Sequence, residues 1–192
     1  MAKSKNNEDA KLCEAALRVA ASHEWQKVTL EQIAKTAKIS VAQIQKRFAD
    51  PNAILPLIVD ELSAQPLKAV GKPDRKTTAH DRLFEILMAR FDVMQTWRKA
   101  ILSIAAAVRH DPRMAFILAP PQIRAMKQTL DFAGFASVGA CSKLTPLALW
   151  AVFLATFRTW TSDETPDMSR TMAALDRYLR YADRVAVFCR IN

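Results

Sequence analysis

Two helix-start signals, eleven residues apart, constrain this chain more than any other feature of its sequence. Thr29 is followed three residues later by Gln32, and Ser40 is followed in the same way by Gln43. In each pair the hydroxyl can accept a backbone N–H of the first helical turn, while the glutamine amide reaches back to the cap residue. A helix of fewer than about 12 residues is marginal alone in water. The two helices predicted within residues 29–48 must therefore pack on each other and on a third helix.

The third helix is predicted from residues 9–22, where apolar side chains recur at helical spacing. Its apolar stripe consists of Leu12, Ala15, Ala16, Val19 and Ala20. The two short helices carry stripes of their own, Leu30, Ile33, Ala34 and Ala37 in the first and Ile39, Ile44 and Phe48 in the second. Three such helices, with a polar outer face on the last, form a helix-turn-helix.

The rest of the chain also has the composition of a helical protein. Of its 192 residues 51% are apolar, only three are glycine, and strand-type alternation is absent. We therefore predict an all-α fold of about nine helices, with a helix-turn-helix domain over residues 1–50 and a helical bundle over residues 51–192. No apolar run reaches the roughly 18 residues of a membrane helix, and the first residues lack the apolar core of a secretory signal. A cytoplasmic location is expected.

The positive charge of the chain suits a nucleic acid or an anionic surface, but its distribution leaves two explanations open. The net charge is +9, and such a charge attracts anionic partners. Residues 1–50 hold nine basic and six acidic side chains, whereas residues 66–130 hold twelve and five. Since the most basic segment lies outside the helix-turn-helix, a solvated polar face explains it about as well as a binding role does.

Catalytic and metal-binding patterns are absent from the sequence. There is no glycine-rich phosphate loop and no metal signature, so we expect neither an enzyme nor a cofactor. Cys13, Cys141 and Cys189 are far apart and have no metal-ligand spacing with a histidine. They are interpreted as reduced thiols, and a redox-sensing cysteine has no support. Asp163 and its acidic neighbours are interpreted as helix caps and solvated charge.

The first third of the chain resembles the N-terminal domain of the TetR family of bacterial repressors. The resemblance covers roughly residues 8 to 62 and rests on the segments EAALRVAASHEW, VTLEQIAKTAKIS and DPNAIL. It implies a DNA-binding, ligand-responsive transcriptional regulator, acting as a repressor and forming a homodimer. It also implies that residues 51–192 bind the ligand and mediate dimerisation.

The resemblance places the DNA-binding residues in and around the second short helix. We predict contacts to double-stranded operator DNA from Thr29, Lys38, Ser40, Val41, Ala42, Gln43, Gln45, Lys46 and Arg47. Cations at the edge of such a unit neutralise phosphates, and a glutamine can read adenine through paired hydrogen bonds in the major groove. Either glutamine could instead be merely solvated.

Lys38 departs from the family pattern, which usually has glycine in the turn before the recognition helix. A residue other than glycine held at positive φ there would cost about 1–2 kcal/mol. The usual recognition helix begins Ser-Lys-Gly-Thr and has a later Tyr, where this chain has Ser40, Val41, Ala42, Gln43 and then Gln45. Asn52 replaces a common lysine.

The body carries large, soft side chains at helical spacing that are either plain core or the lining of a ligand site. The candidate ligand-binding residues are Phe84, Met88, Phe91, Trp97, Met126, Trp150 and Phe153. Pockets in helical bundles lie between helices and are mostly apolar. Because few buried lone charges are evident, we predict an apolar or amphipathic small molecule.

Prolines and apolar stripes organise the remaining helices. Pro56 is expected to kink the fourth helix and Pro120-Pro121 to interrupt a later one, while residues 66–79 are interpreted as a linker and residues 134–144 as a loop. The last two helices carry wide apolar faces. The resemblance implies a dimer interface there, and the alternative is that both faces pack inward.

The second half of the chain supports an alternative function. Residues 82–184, especially FRTWTSDETPDMSRTMAALDRYL, resemble the lipid-binding protein of ubiquinone biosynthesis, which has a TetR-like architecture. This resemblance implies an accessory protein that binds an isoprenoid lipid and a partner enzyme and does not bind DNA.

Overall fold

The computed structural model describes residues 2–71, 77–134 and 145–191. Within these ranges, side chains are described for residues 8–71, 77, 78, 80–134, 146–182 and 184. Cys141, the side chain of Cys189, and all but the first residue of the predicted 134–144 loop lie outside what the structure describes. No helix in the described ranges is long and apolar enough to cross a membrane.

Every regular element in the described part of the chain is helical, which confirms the predicted all-α fold. The α-helices are α1 (Ala2–Ser22), α2 (Leu30–Ala37), α3 (Val41–Gln45), α4 (Leu55–Val70), α5 (Ala79–Thr96), α6 (Arg98–His110), α7 (Pro112–Phe132), α8 (Thr145–Thr161) and α9 (Ser169–Ile191). Two short 3-10 helices, Trp25–Lys27 and Pro51–Ile54, precede α2 and α4. The helix predicted from residue 9 begins earlier, at Ala2.

Both predicted capping boxes are present and they set the starts of α2 and α3. Thr29 Oγ1 accepts from the backbone N–H of Gln32 at 3.3 Å, and the backbone N–H of Thr29 donates to Gln32 Oε1 at 2.9 Å. The same pair of hydrogen bonds joins Ser40 and Gln43, at 3.2 and 3.0 Å. Each box satisfies two backbone donors that a helix start leaves without partners.

Lys38 ends α2 in the left-handed region, with φ 58° and ψ 41°. This confirms the positive φ expected from the turn. The geometry lets the backbone N–H groups of Lys38 and Ile39 bond back to the last carbonyls of α2. A lysine Cβ is strained in this region, where glycine is not.

Residues Met1–Ser63 and Val93–Pro121 form one compact unit, called here the first unit. In it α1 packs against α2 and α6, around a core to which α4 and α6 also contribute. Trp25 is 3% exposed and joins three elements. Its backbone N–H donates to Ser103 Oγ and its indole Nε1 to Asn52 Oδ1, both at 2.8 Å. Asn52, at the position where the family often has lysine, is therefore engaged within the unit.

Residues Ala64–Asp92 and Gln122–Asn192 form the second unit. Helices α8 and α9 pack against each other, and aromatic rings from α5 and α8 stack in the interior. The two compact units do not follow the predicted division at residue 50, because α6 shares its core with the helix-turn-helix. The functional division into residues 1–50 and 51–192 stays a prediction.

The expectations about prolines were wrong. Pro51 starts the 3-10 helix and α4 begins only at Leu55, so Pro56 lies in the first turn of α4, where its missing N–H has no intrahelical partner to lose. Helix α4 continues to Val70, so the predicted linker begins as helix. Helix α7 runs through Pro120 and Pro121. The Pro121 ring is buried, and its apolar packing offsets part of the lost hydrogen bonding.

Candidate nucleic-acid interface and ligand site

The helix-turn-helix presents nearly all of its predicted DNA-binding residues to solvent. Val41 is half-buried and the other eight predicted residues are exposed. Ile44, by contrast, is 1% exposed and anchors α3 in the core of the first unit. Because one side of this short helix is buried, its remaining sides are held in a defined orientation. The arrangement is the one that a recognition helix needs to reach base edges.

The two predicted base-reading glutamines are not equivalent. Gln43 Oε1 accepts from the backbone N–H and the hydroxyl of Ser40, both at 3.0 Å. Paired recognition of adenine uses both the oxygen and the nitrogen of an amide, so Gln43 would have to leave its capping box. The side chain of Gln45 is exposed and makes no hydrogen bond within the described part of the chain. Gln45 is therefore the better placed of the two for direct reading.

The cations around α3 also differ in availability. Lys38 and Lys46 are exposed and have no ion-pair partner among the described side chains. Arg47 donates through Nη2 to Asp9 Oδ1 at 2.5 Å, and its guanidinium lies over the ring of Phe48, 5.1 Å from the centroid. Arg47 thus ties α3 to α1. The two lysines are the cations that can approach a phosphate without breaking an ion pair.

The predicted ligand-binding residues fall into both units. Phe91 and Met126 are 0% exposed and Phe153 is 3% exposed, whereas Phe84, Met88 and Trp150 are half-buried. All six belong to the second unit. Trp97 instead packs against the core of the first unit. The sequence interpretation had placed it with the others because it ends the same apolar run.

A stack of four aromatic rings occupies the interior of the second unit. Phe91 stacks on Phe153 with ring centroids 5.3 Å apart, and Phe157 lies 6.2 Å from Phe153 and 5.4 Å from Trp160. Such offset arrangements stabilise by about 0.5–1.5 kcal/mol per pair beyond the burial of area. The stack forms part of the apolar interior of the second unit.

Arg90 is the functional candidate that the sequence interpretation missed. It is 5% exposed, and its guanidinium carbon lies 4.7 Å from the centroid of Phe153. Its Nη2 donates to Gln122 Oε1 at 2.6 Å. A sequence signal existed, because position 90 continues the stripe of Leu83, Leu87 and Met94 at helical spacing. The second unit therefore contains one buried lone cation, which the sequence interpretation did not single out.

The acidic loop between α8 and α9 has a structural role. Asp163 is 1% exposed. Its Oδ1 accepts from the backbone N–H and hydroxyl of Thr165, at 3.1 and 2.6 Å. Its Oδ2 accepts from the same two groups of Thr171, both at 2.7 Å. The interpretation of Asp163 as a cap is correct, but the residue is buried. Within the segment behind the lipid-protein resemblance, the acidic loop therefore has a capping role.

A cleft of about 460 Å³ lies in the first unit, between the end of α1 and α6. Its walls include His23, Lys99, Ser103 and His110. None of the predicted ligand-binding residues lines it. Ser103 Oγ donates to the backbone carbonyl of His23 at 3.0 Å, so the floor of the cleft is already joined to the helix-turn-helix.

Large apolar side chains remain exposed on α8 and α9. Leu147 and Leu154 are each 41% exposed and lie seven residues apart, on one face of α8. Met172 and Tyr181 on α9 are 40% and 53% exposed. Leu147 and Leu154 thus form an apolar face of α8 that does not pack fully within the described chain, whereas Met172 and Tyr181, nine residues apart, lie on opposite sides of α9.

The described helices include an N-terminal helix-turn-helix, and several solved structures with this fold are described as TetR transcriptional regulators. The TetR transcriptional regulator from Nitrosomonas europaea is 20% identical, with a TM-score of 0.72 over 91% of this chain and 97% of that one. A TetR transcriptional regulator from Rhodococcus sp. RHA1 is 17% identical, with a TM-score of 0.65 over 93% and 97%.

A third solved structure with this fold is FadR from Bacillus halodurans, described as a fatty acid degradation regulator. It is 14% identical, with a TM-score of 0.61 over 90% of this chain and 94% of that one. No family model and no curated protein matches the sequence. The structural likenesses confirm the TetR-like fold.

Proposed function

We propose that this protein is a homodimeric, ligand-responsive transcriptional regulator of the TetR type that represses by binding operator DNA. The observation that carries the proposal is the exposed face of α3 on an anchored helix-turn-helix, within a fold shared with TetR regulators. In this proposal Gln45 reads a base edge in the major groove, while Lys38 and Lys46 neutralise phosphates. Gln43 holds the start of α3.

The dimer is proposed to form through the exposed apolar faces of α8 and α9. Two copies would place four helices together and cover Leu147, Leu154 and Met172. We expect Leu154→Glu to yield monomers in sedimentation velocity, because a charge would be buried in the interface. Phe116→Glu is the matched control, since Phe116 is 80% exposed but lies on α7. A Leu154→Glu protein that remained dimeric would contradict this interface.

Regulation is proposed to come from an apolar or amphipathic molecule bound in the second unit, against the rings of Phe91 and Phe153. A ligand that binds the released conformation more tightly than the DNA-bound one shifts the population toward release. FadR of the same fold is described as a regulator of fatty acid degradation, and this supports a ligand with a long apolar part.

The DNA-binding proposal is tested by selecting duplexes from a random library and measuring their affinity by fluorescence anisotropy. A regulator should prefer its selected site over a scrambled duplex by about 10³-fold or more. Two half-sites about 34–36 Å apart, one helical turn, should recur if the protein binds as a dimer. Non-selective binding, or no binding, would contradict the proposal.

Two pairs of variants separate base reading from phosphate neutralisation. Gln45→Ala should reduce the preference for the selected site by about 5- to 100-fold, whereas Gln128→Ala, an exposed glutamine on α7, should not. Lys46→Ala should weaken binding to all duplexes alike. It should also lower the slope of log affinity against log salt by about 0.9 for each phosphate that the protein no longer neutralises. Lys127→Ala is its exposed control.

A further inference from the structure

Arg90 has an unusual environment for a charged side chain. It lies on α5 among apolar residues, directly before Phe91, and is 5% exposed. Burial lowers the pKa of its guanidinium to about 10. At neutral pH the group therefore still carries its positive charge, inside a helical unit and against the face of Phe153.

The partners of Arg90 do not neutralise that charge. The amide oxygen of Gln122 accepts one hydrogen bond at 2.6 Å, and the ring of Phe153 contributes a cation–π contact. No carboxylate among the described side chains forms an ion pair with it. A guanidinium has five N–H donors, arranged so that two of them fit the two oxygens of a carboxylate. Most of this capacity is unused.

A buried donor without a partner lies on the neighbouring helix. Trp150 Nε1 is fully enclosed and has no hydrogen-bond partner within the described structure. Trp150 precedes Phe153 by three residues on α8, so the two side chains lie on the same side of that helix. A buried donor without an acceptor costs about 1–3 kcal/mol. The unpartnered N–H of Trp150 and the unneutralised charge of Arg90, on two helices that both contribute rings to the aromatic stack, favour an acceptor that arrives from outside the chain.

A purely structural role for Arg90 is the competing explanation. A buried charge without a carboxylate partner is costly, and apolar residues of similar size usually serve a core as well or better. Arg90 occupies a stripe position at which leucine or methionine would pack without that cost. The residue type is explained if its positive charge is needed when a ligand is bound.

We propose that the second unit binds an apolar molecule that carries a carboxylate, with the acid group on Arg90 and the apolar remainder along Phe91, Phe153 and Phe157. The proposal rests on the ligand-responsive function proposed above and names the chemical class of the ligand. Trp150 Nε1 supplies a further hydrogen bond to the acid group. An uncharged ligand of the same shape would leave the guanidinium without a neutralising partner.

The test compares matched acids and alcohols by isothermal titration calorimetry on the full chain without DNA. The probes are decanoate against 1-decanol and 2-naphthoate against 2-naphthol, which cover extended and flat apolar parts. We expect at least one acid to bind about tenfold or more tightly than its alcohol, as a charge-assisted pair implies. Binding of neither acid, or equal binding of acid and alcohol, would overturn the proposal.

Variants of Arg90 decide whether this residue is the cause. Arg90→Gln should abolish the preference for the acid over its alcohol, whereas Arg158→Gln, an exposed arginine on α8, should retain it. Circular dichroism reports whether Arg90→Gln is folded. If it is not, Arg90→Lys, which keeps the charge but loses the paired geometry, should lower the acid-to-alcohol ratio several-fold. An unchanged ratio in the folded variant would overturn the assignment.

The readouts distinguish this inference from the proposed function. Acid binding is measured in the absence of DNA, so a protein that fails to bind an operator can still confirm the acid site. Conversely, a protein that binds an operator but shows no acid preference remains a regulator and loses the proposed ligand class. Trp150→Phe, which removes only the Nε1 donor, should weaken the acid more than the alcohol.

Discussion

Replacing Asp163 should destabilise the protein more than replacing any of its acidic neighbours, although the loop looks like ordinary solvated charge. The carboxylate accepts four hydrogen bonds, two from Thr165 and two from Thr171. Thr171 is 0% exposed, so its backbone N–H and its hydroxyl cannot turn to water when the acceptor is removed. Thr171 lies in the first turn of α9, where an anion is also favoured by the helix dipole.

The expected magnitude follows from those groups. Each buried donor left without a partner costs about 1–3 kcal/mol, and Asp163→Ala leaves two on Thr171. We therefore expect a loss of about 3–5 kcal/mol in the free energy of unfolding. Asp163→Asn should lower the free energy of unfolding by less than Asp163→Ala does, because the amide oxygen still accepts hydrogen bonds. Some stability should still be lost, because the NH₂ group faces other donors. Asp167→Ala is the matched control, since the exposed Asp167 caps only the backbone N–H of Ser169 and should cost about 1 kcal/mol.

Urea unfolding followed by circular dichroism measures these differences, and pH adds an independent check. Burial raises the pKa of Asp163, but the hydrogen bonds from Thr165 and Thr171 outweigh it and hold the pKa well below the ordinary 3.8. The ionised carboxylate therefore stabilises the folded state above pH 3.8, and this contribution is lost as the pH falls toward the folded pKa. The difference in the free energy of unfolding between the native protein and Asp163→Asn should therefore decrease below pH 3.8.

One result would refute this reasoning. If Asp163→Ala and Asp167→Ala lost the same free energy of unfolding within about 0.5 kcal/mol, the Asp163 hydrogen bonds would not stabilise the second unit as described.

Three further predictions concern the first unit. Lys38→Gly should raise the free energy of unfolding by up to about 1 kcal/mol, because the relief of strain at φ 58° exceeds the cost of a more flexible unfolded chain. The control, Lys35→Gly within α2, should lower the free energy of unfolding by about 1 kcal/mol. Urea unfolding distinguishes the two, and a loss in both would contradict the strain. Ser40→Ala should lower the free energy of unfolding by about 1 kcal/mol and weaken operator binding, because α3 loses its cap. An unchanged free energy of unfolding in the same assay would show that the cap is dispensable. In a variant with Cys141 and Cys189 replaced by serine, Cys13 should resist iodoacetamide until the protein unfolds, because burial raises its thiol pKa to about 12. Mass spectrometry measures the alkylation, and rapid alkylation of the folded protein at about pH 8 would contradict this prediction.

The local features of the helix-turn-helix were readable from the sequence because they depend on residues within one turn of each other. A hydroxyl and a glutamine three residues apart form a capping box wherever a helix starts, and both predicted boxes are present. The left-handed Lys38 was expected from the resemblance, because the family usually has glycine in this turn. The all-α fold followed from helical periodicity and the scarcity of glycine.

Other features depended on which distant segments meet, and only the tertiary structure decided them. Phe91 and Trp97 belong to one apolar run and are six residues apart, yet they pack in different units. Pro56 was expected to kink the fourth helix, but it lies in the first turn of α4, because residues 51–54 form a 3-10 helix and α4 begins only at Leu55.

The charged groups illustrate the difference most clearly, since the state of a charge depends on neighbours that sequence distance does not reveal. Asp163 is a buried cap because Thr171, eight residues away, folds back onto it. Arg90 is a buried cation because Gln122 and Phe153, on two other helices, enclose it without a carboxylate. The sequence by itself determined the helices, their caps and the helix-turn-helix. Burial and charge pairing arise only when the helices pack, and they produced the buried Arg90 on which the proposed acid site depends.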